Sequence, residues 1–372
     1  MDVVIKPETT RAHAHRVARD YAERPMIVYW EMTQACGLAC RHCRAEAMPN
    51  AHPRELNHSE SHRLLEQIAA FGDPLPHLIL TGGDPLQRAD LFEVIDVARN
   101  LGLEVSITPS ATQNLTYDLL ARLKEHGIQS LGLSLDGSRA ELHDAVRGIP
   151  GCFDFTIRAA QLAAEIAMPI QVNTLVAQET ADDLPATYEL LKSLKVMRWS
   201  LFFLIAVGRG KVLQPVSPER GEEIMHWVYD QTQSAPFAIK TTEAPSYSRI
   251  ALERMCATGM TPEQIQRTSV YHGFGIRDGH GIMFVSNTGD VYPAGFLPLT
   301  IGNVRTDEVV RMYRDAPVMR ALHNPNEFSG KCGYCEHRII CGGSRARAFA
   351  HAGDALASDP FCPYEPHNEF KN

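Results

Sequence analysis

No stretch of about 18 consecutive apolar residues, the length that would suggest a bilayer-spanning helix, occurs in this 372-residue chain. Basic runs are missing as well. Lysine and arginine number 36 against 44 aspartate and glutamate, a net charge of −8, and without clustered cations a phosphate backbone stays unneutralised, which sets nucleic acid aside as a partner. The first residues carry charges throughout and no apolar h-region, so no secretory signal is expected and a cytoplasmic location is. The sequence also lacks internal repeats and low-complexity tracts.

What is present is 44% hydrophobic and 22% charged residues, the balance of a globular protein that folds in water, in a chain long enough for two modules. Nine cysteines in a chain without an export signal do not read as a disulfide framework, because such thiols more often bind metal or do redox work. Seven fall into two groups: Cys36, Cys40 and Cys43 near the start, and Cys332, Cys335, Cys341 and Cys362 near the end. Cys152 and Cys256 stand alone and read as small buried thiols.

Short β-branched or apolar runs at 26–32, 77–81, 103–108, 130–135, 170–175 and 198–204 alternate with helical periodicity at 59–71, 91–100, 117–126, 155–166, 184–194 and 219–230. This βαβ order implies an α/β fold of parallel strands with outer helices, as an open doubly wound sheet or a partial barrel, with ligands at the carboxyl ends of the strands. Beyond residue 213 the alternation stops. Residues 281–285 and 290–292 flank Ser286-Asn287-Thr288-Gly289 and read as a hairpin. The expected division is an arm over 1–25, the strand-helix unit over 26–235 and a loop-rich, cysteine-bearing module over 236–372.

Cys36, Cys40 and Cys43 follow the first strand directly, where such folds place chemistry. Three thiolates can hold three irons of a 4Fe-4S cube and leave the fourth iron open, whereas structural zinc wants a fourth ligand, for which His42 is the candidate. The four C-terminal cysteines suffice for a closed site of either zinc or an iron-sulfur cluster. Spacing alone leaves both readings open.

The Cys-xxx-Cys-xx-Cys order after a first strand, with His42 before the last cysteine, resembles the radical S-adenosylmethionine (SAM) superfamily. Thr81-Gly82-Gly83-Asp84-Pro85, ending the second strand, resembles that family's GGEP motif, with Asp84 where glutamate is commoner. The resemblance implies that Gly82, Gly83 and Asp84 meet the methionine amino group of SAM, and glycines allow such close backbone approach. Ser134-Leu135-Asp136-Gly137 resembles the SLDG segment, which implies SAM contacts from Ser134 and Asp136, and Arg147 resembles an arginine that pairs with the SAM carboxylate. Ser110 and Asn173 are candidates of the same kind.

The C-terminal cysteine order resembles the SPASM extension of these enzymes, which implies an auxiliary 4Fe-4S cluster on Cys332, Cys335, Cys341 and Cys362. A full extension carries further cysteines where this chain has Ala294, Ser344 and Arg345, so one auxiliary cluster is expected and not two. Together the likenesses imply a partial (β/α)6 TIM-like barrel whose first cluster, reduced by a flavodoxin or ferredoxin, cleaves SAM to a 5′-deoxyadenosyl radical that abstracts hydrogen from a substrate. Residues 333–347, with Gly353-Asp354 and Asp359-Pro360-Phe361-Cys362-Pro363, most resemble the members that remodel tetrapyrrole side chains in haem d1 and alternative haem pathways. Arg209, Lys211 and Arg198 are then candidates for propionate carboxylates. The competing expectations are a ribosomal peptide maturase and a zinc-stabilised binding module without catalysis.

Overall fold

A computed structural model of the chain describes residues 20–44 and 47–367; most of the arm expected over 1–25 lies outside the described residues. Its centre is a ten-stranded sheet in the order β10-β9-β8-β1-β2-β3-β4-β5-β6-β7. The six expected strands are β1 (Ile27–Glu31), β2 (His77–Thr81), β3 (Glu104–Ile107), β4 (Leu131–Ser134), β5 (Ile170–Val176) and β6 (Arg198–Phe203), all parallel. A seventh parallel strand, β7 (Ala238–Thr242), pairs with β6.

Alternation explains the walls. In β1, Val28 and Trp30 are fully buried beneath the outer helices, while Ile27 and Tyr29 stay half-buried on the other face, as a pleat with period two requires. The helices α1 (His58–Ala69), α2 (Leu91–Asn100), α3 (Tyr117–Glu125), α4 (Ala140–Arg147), α5 (Cys152–Glu165), α6 (Leu184–Ser193), α7 (Pro218–Thr232) and α8 (Tyr247–Ala257) follow in chain order. Their starts are written locally. Asn57 and Glu60 form a reciprocal capping box on α1, Thr116 caps α3, and Ser217 caps α7 with Pro218 at its first turn, each supplying an acceptor for otherwise unpaired N–H groups.

The expected hairpin is present as β8 (Ile282–Val285) antiparallel to β9 (Asp290–Tyr292), followed by β10 (Gly302–Asn303). Its placement was not expected: β8 runs parallel beside β1, with Ile27 opposite Ile282. The sheet thus continues past residue 235 on both flanks. Among the described residues no helix is long and apolar enough to cross a membrane.

Candidate active site

A cavity of about 320 Å³ opens at the carboxyl ends of the strands. Cys36, Cys40 and Cys43 all line it, with Gly82, Gly83, Ser110, Ser134, Asp136, Arg147 and Asn173 from the expected set. Asp84 does not. Its buried carboxylate instead accepts from the backbone N–H groups of Leu86 (3.2 Å) and Ser110 (3.3 Å), bracing the loops after β2 and β3, and burial raises its pKa.

The glycine pair has a role that sequence alone had not assigned. The amides of Gly83 and Asp84 donate to Thr33 O and Ala35 O, each at 2.7 Å, so the end of β2 is laced to the loop that carries the cysteines. A side chain on Gly83 would put its Cβ 2.3 Å from Ala35 O, far inside contact distance. Gly82 has φ +143, and a Cβ there would meet Thr33 O at 2.5 Å.

Arg147 is not a solvated surface cation: it lines the cavity, and its buried Nε has no partner among the described residues. Its side chain is 12% exposed and pairs with Asp136 Oδ2 at 2.6 Å, while Nη1 donates to Cys40 Sγ at 3.6 Å. Asp136 Oδ1 accepts from Leu175 N, and the Asp136 amide donates to His143 Nδ1 at 3.0 Å. Burial opposes ionisation of Asp136, yet Arg147 beside it holds the carboxyl below the usual range. His143 and His42 are both lowered to about 4, first by burial; Arg147 lowers both as well, and Arg209 adds to it for His42. Both imidazoles are therefore neutral near pH 7.

Donors converge on the cysteine sulfurs. Leu38 N and Ala47 N donate to Cys36 Sγ and Cys43 Sγ at 3.3 and 3.5 Å, and Ser110 Oγ lies 3.2 Å from Cys36 Sγ. Burial raises the pKa of Cys36, so a bare thiolate is disfavoured there. Backbone N–H groups and a cation aimed at sulfur are what thiolates bound to an iron-sulfur cluster require. The residues present fit such a group.

The C-terminal cysteines make a second convergence. Cys332, Cys335, Cys341 and Cys362 line one small cavity with Arg249 and Gly343. Gly343 N donates to Cys341 Sγ at 3.4 Å; Asp359 N and Arg345 Nη2 donate to Cys332 Sγ at 3.4 and 3.5 Å. Burial pushes Cys362 up to about 11 and Cys341 higher still, so these thiols too suit a bound cluster better than a bare state. Cys152 is buried as expected. Cys256 is a correction: it is exposed, because Tyr247, Ile250, Ala251 and Met255 set the buried face of α8 and residue 256 falls one position past it.

Three further side chains, which no sequence motif marks, matter to the cavity. Glu243, just past β7, and Asp278, just before β8, both line the cavity and hydrogen-bond to each other across the gap between these strands. Ser344 Oγ donates to Glu243 Oε2 at 2.7 Å, and Ala346 N to Asp278 Oδ2 at 2.9 Å. Burial and the neighbouring acid push Glu243 well above the carboxylate range, so it holds a proton. This contact joins the cavity to the segment just after Cys341. Tyr29 also lines the cavity, its hydroxyl raised to about 12 by burial.

The sequence profile of the radical SAM superfamily matches residues 30–191. An AdoMet-dependent heme synthase of Methanosarcina barkeri is 37% identical over 92% of this chain and 97% of its own length, and one of Oleidesulfovibrio alaskensis is 36% identical over 95% and 91%. The crystal structure of Streptococcus suis SuiB bound to precursor peptide SuiA superposes with a TM-score of 0.71 over 92% of this chain and 76% of that one; at 18% identity this shows a shared fold. With the cysteine loop, the parallel barrel and relatives aligned along nearly their whole length, the chain belongs to the radical SAM superfamily.

Proposed function

We propose that this radical SAM enzyme modifies a tetrapyrrole that carries acid side chains, with its SAM-binding cluster on Cys36, Cys40 and Cys43 and an auxiliary cluster on Cys332, Cys335, Cys341 and Cys362. When bound, SAM and its 4Fe-4S cluster supply a 5′-deoxyadenosyl radical that takes hydrogen from a substrate C–H bond. The chain's part is to hold that bond in place and keep water out.

The observation that carries the substrate class is Arg209. It lines the cavity beside the cysteine loop, its amide bonded to Cys43 O at 3.1 Å, and its Nε and Nη2 are buried without a partner among the described residues. Unpaired guanidinium donors in a cavity match a planar carboxylate, and buried charge left unpaired is costly. Ile79, Phe202, Ile282 and Phe284 supply an apolar wall to the same cavity, suited to the face of a macrocycle. The names of the two heme synthases agree with this reading. We place the enzyme in the cytoplasm, with a flavodoxin or ferredoxin as its electron donor.

The test is to incubate the anaerobically reduced enzyme with SAM and either an iron porphyrin bearing propionates or a cysteine-containing peptide. 5′-Deoxyadenosine is followed by mass spectrometry. Stimulation by the porphyrin with loss of mass from it is expected; stimulation by the peptide alone would overturn the reading.

A further inference from the structure

Two cations lie inside the barrel with no acid paired to them among the described residues. Phe202 of β6 and Thr242 of β7 line the cavity, while Trp199, Leu201 and Phe203 of β6 lie in the apolar core and Ile239 of β7 packs against it, which sets the inward face of each strand. Arg198 and Ser200 share the face of Phe202, and Lys240 shares that of Thr242, with Ser200 and Lys240 directly opposite in the register. At about 3.3 Å per residue, they lie below the cavity's upper wall by roughly 7 to 13 Å. Gln171 ties them to the cavity: it lines the cavity, and its Oε1 accepts from Arg198 Nη1 at 3.4 Å.

The acids of this region are engaged elsewhere. Glu104 faces His77 at 3.5 Å, and Glu243 is held by Asp278 and Ser344. Among the described residues neither Arg198 nor Lys240 has a carboxylate within ion-pair distance, and Ser200 Oγ is fully buried without a partner. Burial and then Arg198 lower Lys240 from 10.5 to about 8, so each cation disfavours the other. Like charges drawn together out of bulk water are retained at a cost in stability unless an anion completes them.

We propose that Arg198, Lys240 and Ser200 form a second anion subsite at the barrel floor, which takes a carboxylate of the substrate while Arg209 takes another nearer the cysteine loop. The subsite rests on the tetrapyrrole reading and deepens it: it selects a molecule with at least two separated acid side chains, which a macrocycle with acids on its rim provides. SAM also carries a carboxylate, so the two sources must be told apart.

The holoenzyme, Lys240→Met and Arg198→Met are titrated anaerobically with a free-base porphyrin bearing four propionates, read by fluorescence quenching, and with its tetramethyl ester; SAM binding is measured by equilibrium dialysis. Iron content and circular dichroism certify each variant as folded and loaded. Both variants are expected to bind the acid porphyrin about tenfold to a hundredfold more weakly, the span of one charged hydrogen bond, to bind the ester like the parent, and to bind SAM unchanged. Parent-like affinity for the acid porphyrin in both variants overturns the subsite. Weakened SAM with unchanged porphyrin assigns the carboxylate to SAM and overturns it too. A parent that binds neither porphyrin refutes the tetrapyrrole reading itself, a result distinct from either.

Discussion

Lys240→Met should make the protein more stable while weakening its hold on substrate. Methionine keeps the length and apolar stem of lysine and removes the charge. In the folded chain the ammonium falls from 10.5 to about 8, a drop of about 2.5, and at ~1.36 kcal/mol per pH unit this amounts to about 3 kcal/mol lost by carrying the charge into the barrel. The sign follows from proton linkage. Below pH 8 both folded and unfolded chains hold the proton and the whole cost is present; between pH 8 and about 10.5 only the unfolded chain holds it, so stability rises with pH and the cost disappears. At about 2 °C per kcal/mol for a chain of this size, the variant should unfold about 6 °C later than the parent at pH 7, with the gap closing by about pH 10.5. Anaerobic thermal unfolding followed by circular dichroism, at matched cluster content, reads both numbers. No gain at pH 7, or a gap that does not change with pH, would refute the claim that this lysine is half-buried, charged and without an acid partner among the described residues.

Replacing Cys36, Cys40 and Cys43 together by alanine should abolish 5′-deoxyadenosine formation and leave about four irons per chain, the content of one cube, at the C-terminal cysteines; iron and sulfide assays with mass spectrometry check it. Gly83→Ala, whose new Cβ meets Ala35 O at 2.3 Å, should push the cysteine loop away at a cost of about 1–3 kcal/mol and lower iron occupancy at the first site, whereas Gly273→Ala, with nothing within 4 Å of its Cβ, should leave iron occupancy unchanged. Glu243→Gln keeps a hydrogen-bonding side chain that needs no proton from solvent. Because the parent acid is raised, its cost grows as pH climbs above the ordinary carboxylate range, so the variant's advantage in unfolding temperature should widen between pH 5 and pH 9.

Much of the barrel is legible in the sequence because its strands and helices differ in period and each is long enough to show it. The β2 expectation over 77–81 coincides with His77–Thr81, and α2 with its expected 91–100. The strand β7 escaped because Ala-Ile-Lys-Thr-Thr is five residues with a lysine at its centre, and that lysine faces a polar barrel interior in place of the apolar core that alternation presumes. The short α4 was missed too, because its eight residues make only about two turns and bury only His143 and Val146. The cysteine groups were legible by spacing. Their surroundings were not, since Arg147 meets Asp136 and Cys40, and Glu243 meets Asp278, only after strands far apart in sequence are brought side by side.

The seating of β8 against β1 has a consequence for how the molecule holds together. The first strand is wedged between its sequence neighbour β2 and a strand from the far end of the chain, so the barrel is not finished when its sixth strand has been made. A chain cut at residue 235 would lose both β7 and β8 and leave one side of β1 as a bare row of N–H and C=O groups, a template for pairing with another copy. The N-terminal and C-terminal cysteine regions therefore belong to one cooperative unit, in which the last hundred residues seal the wall behind the first cysteines.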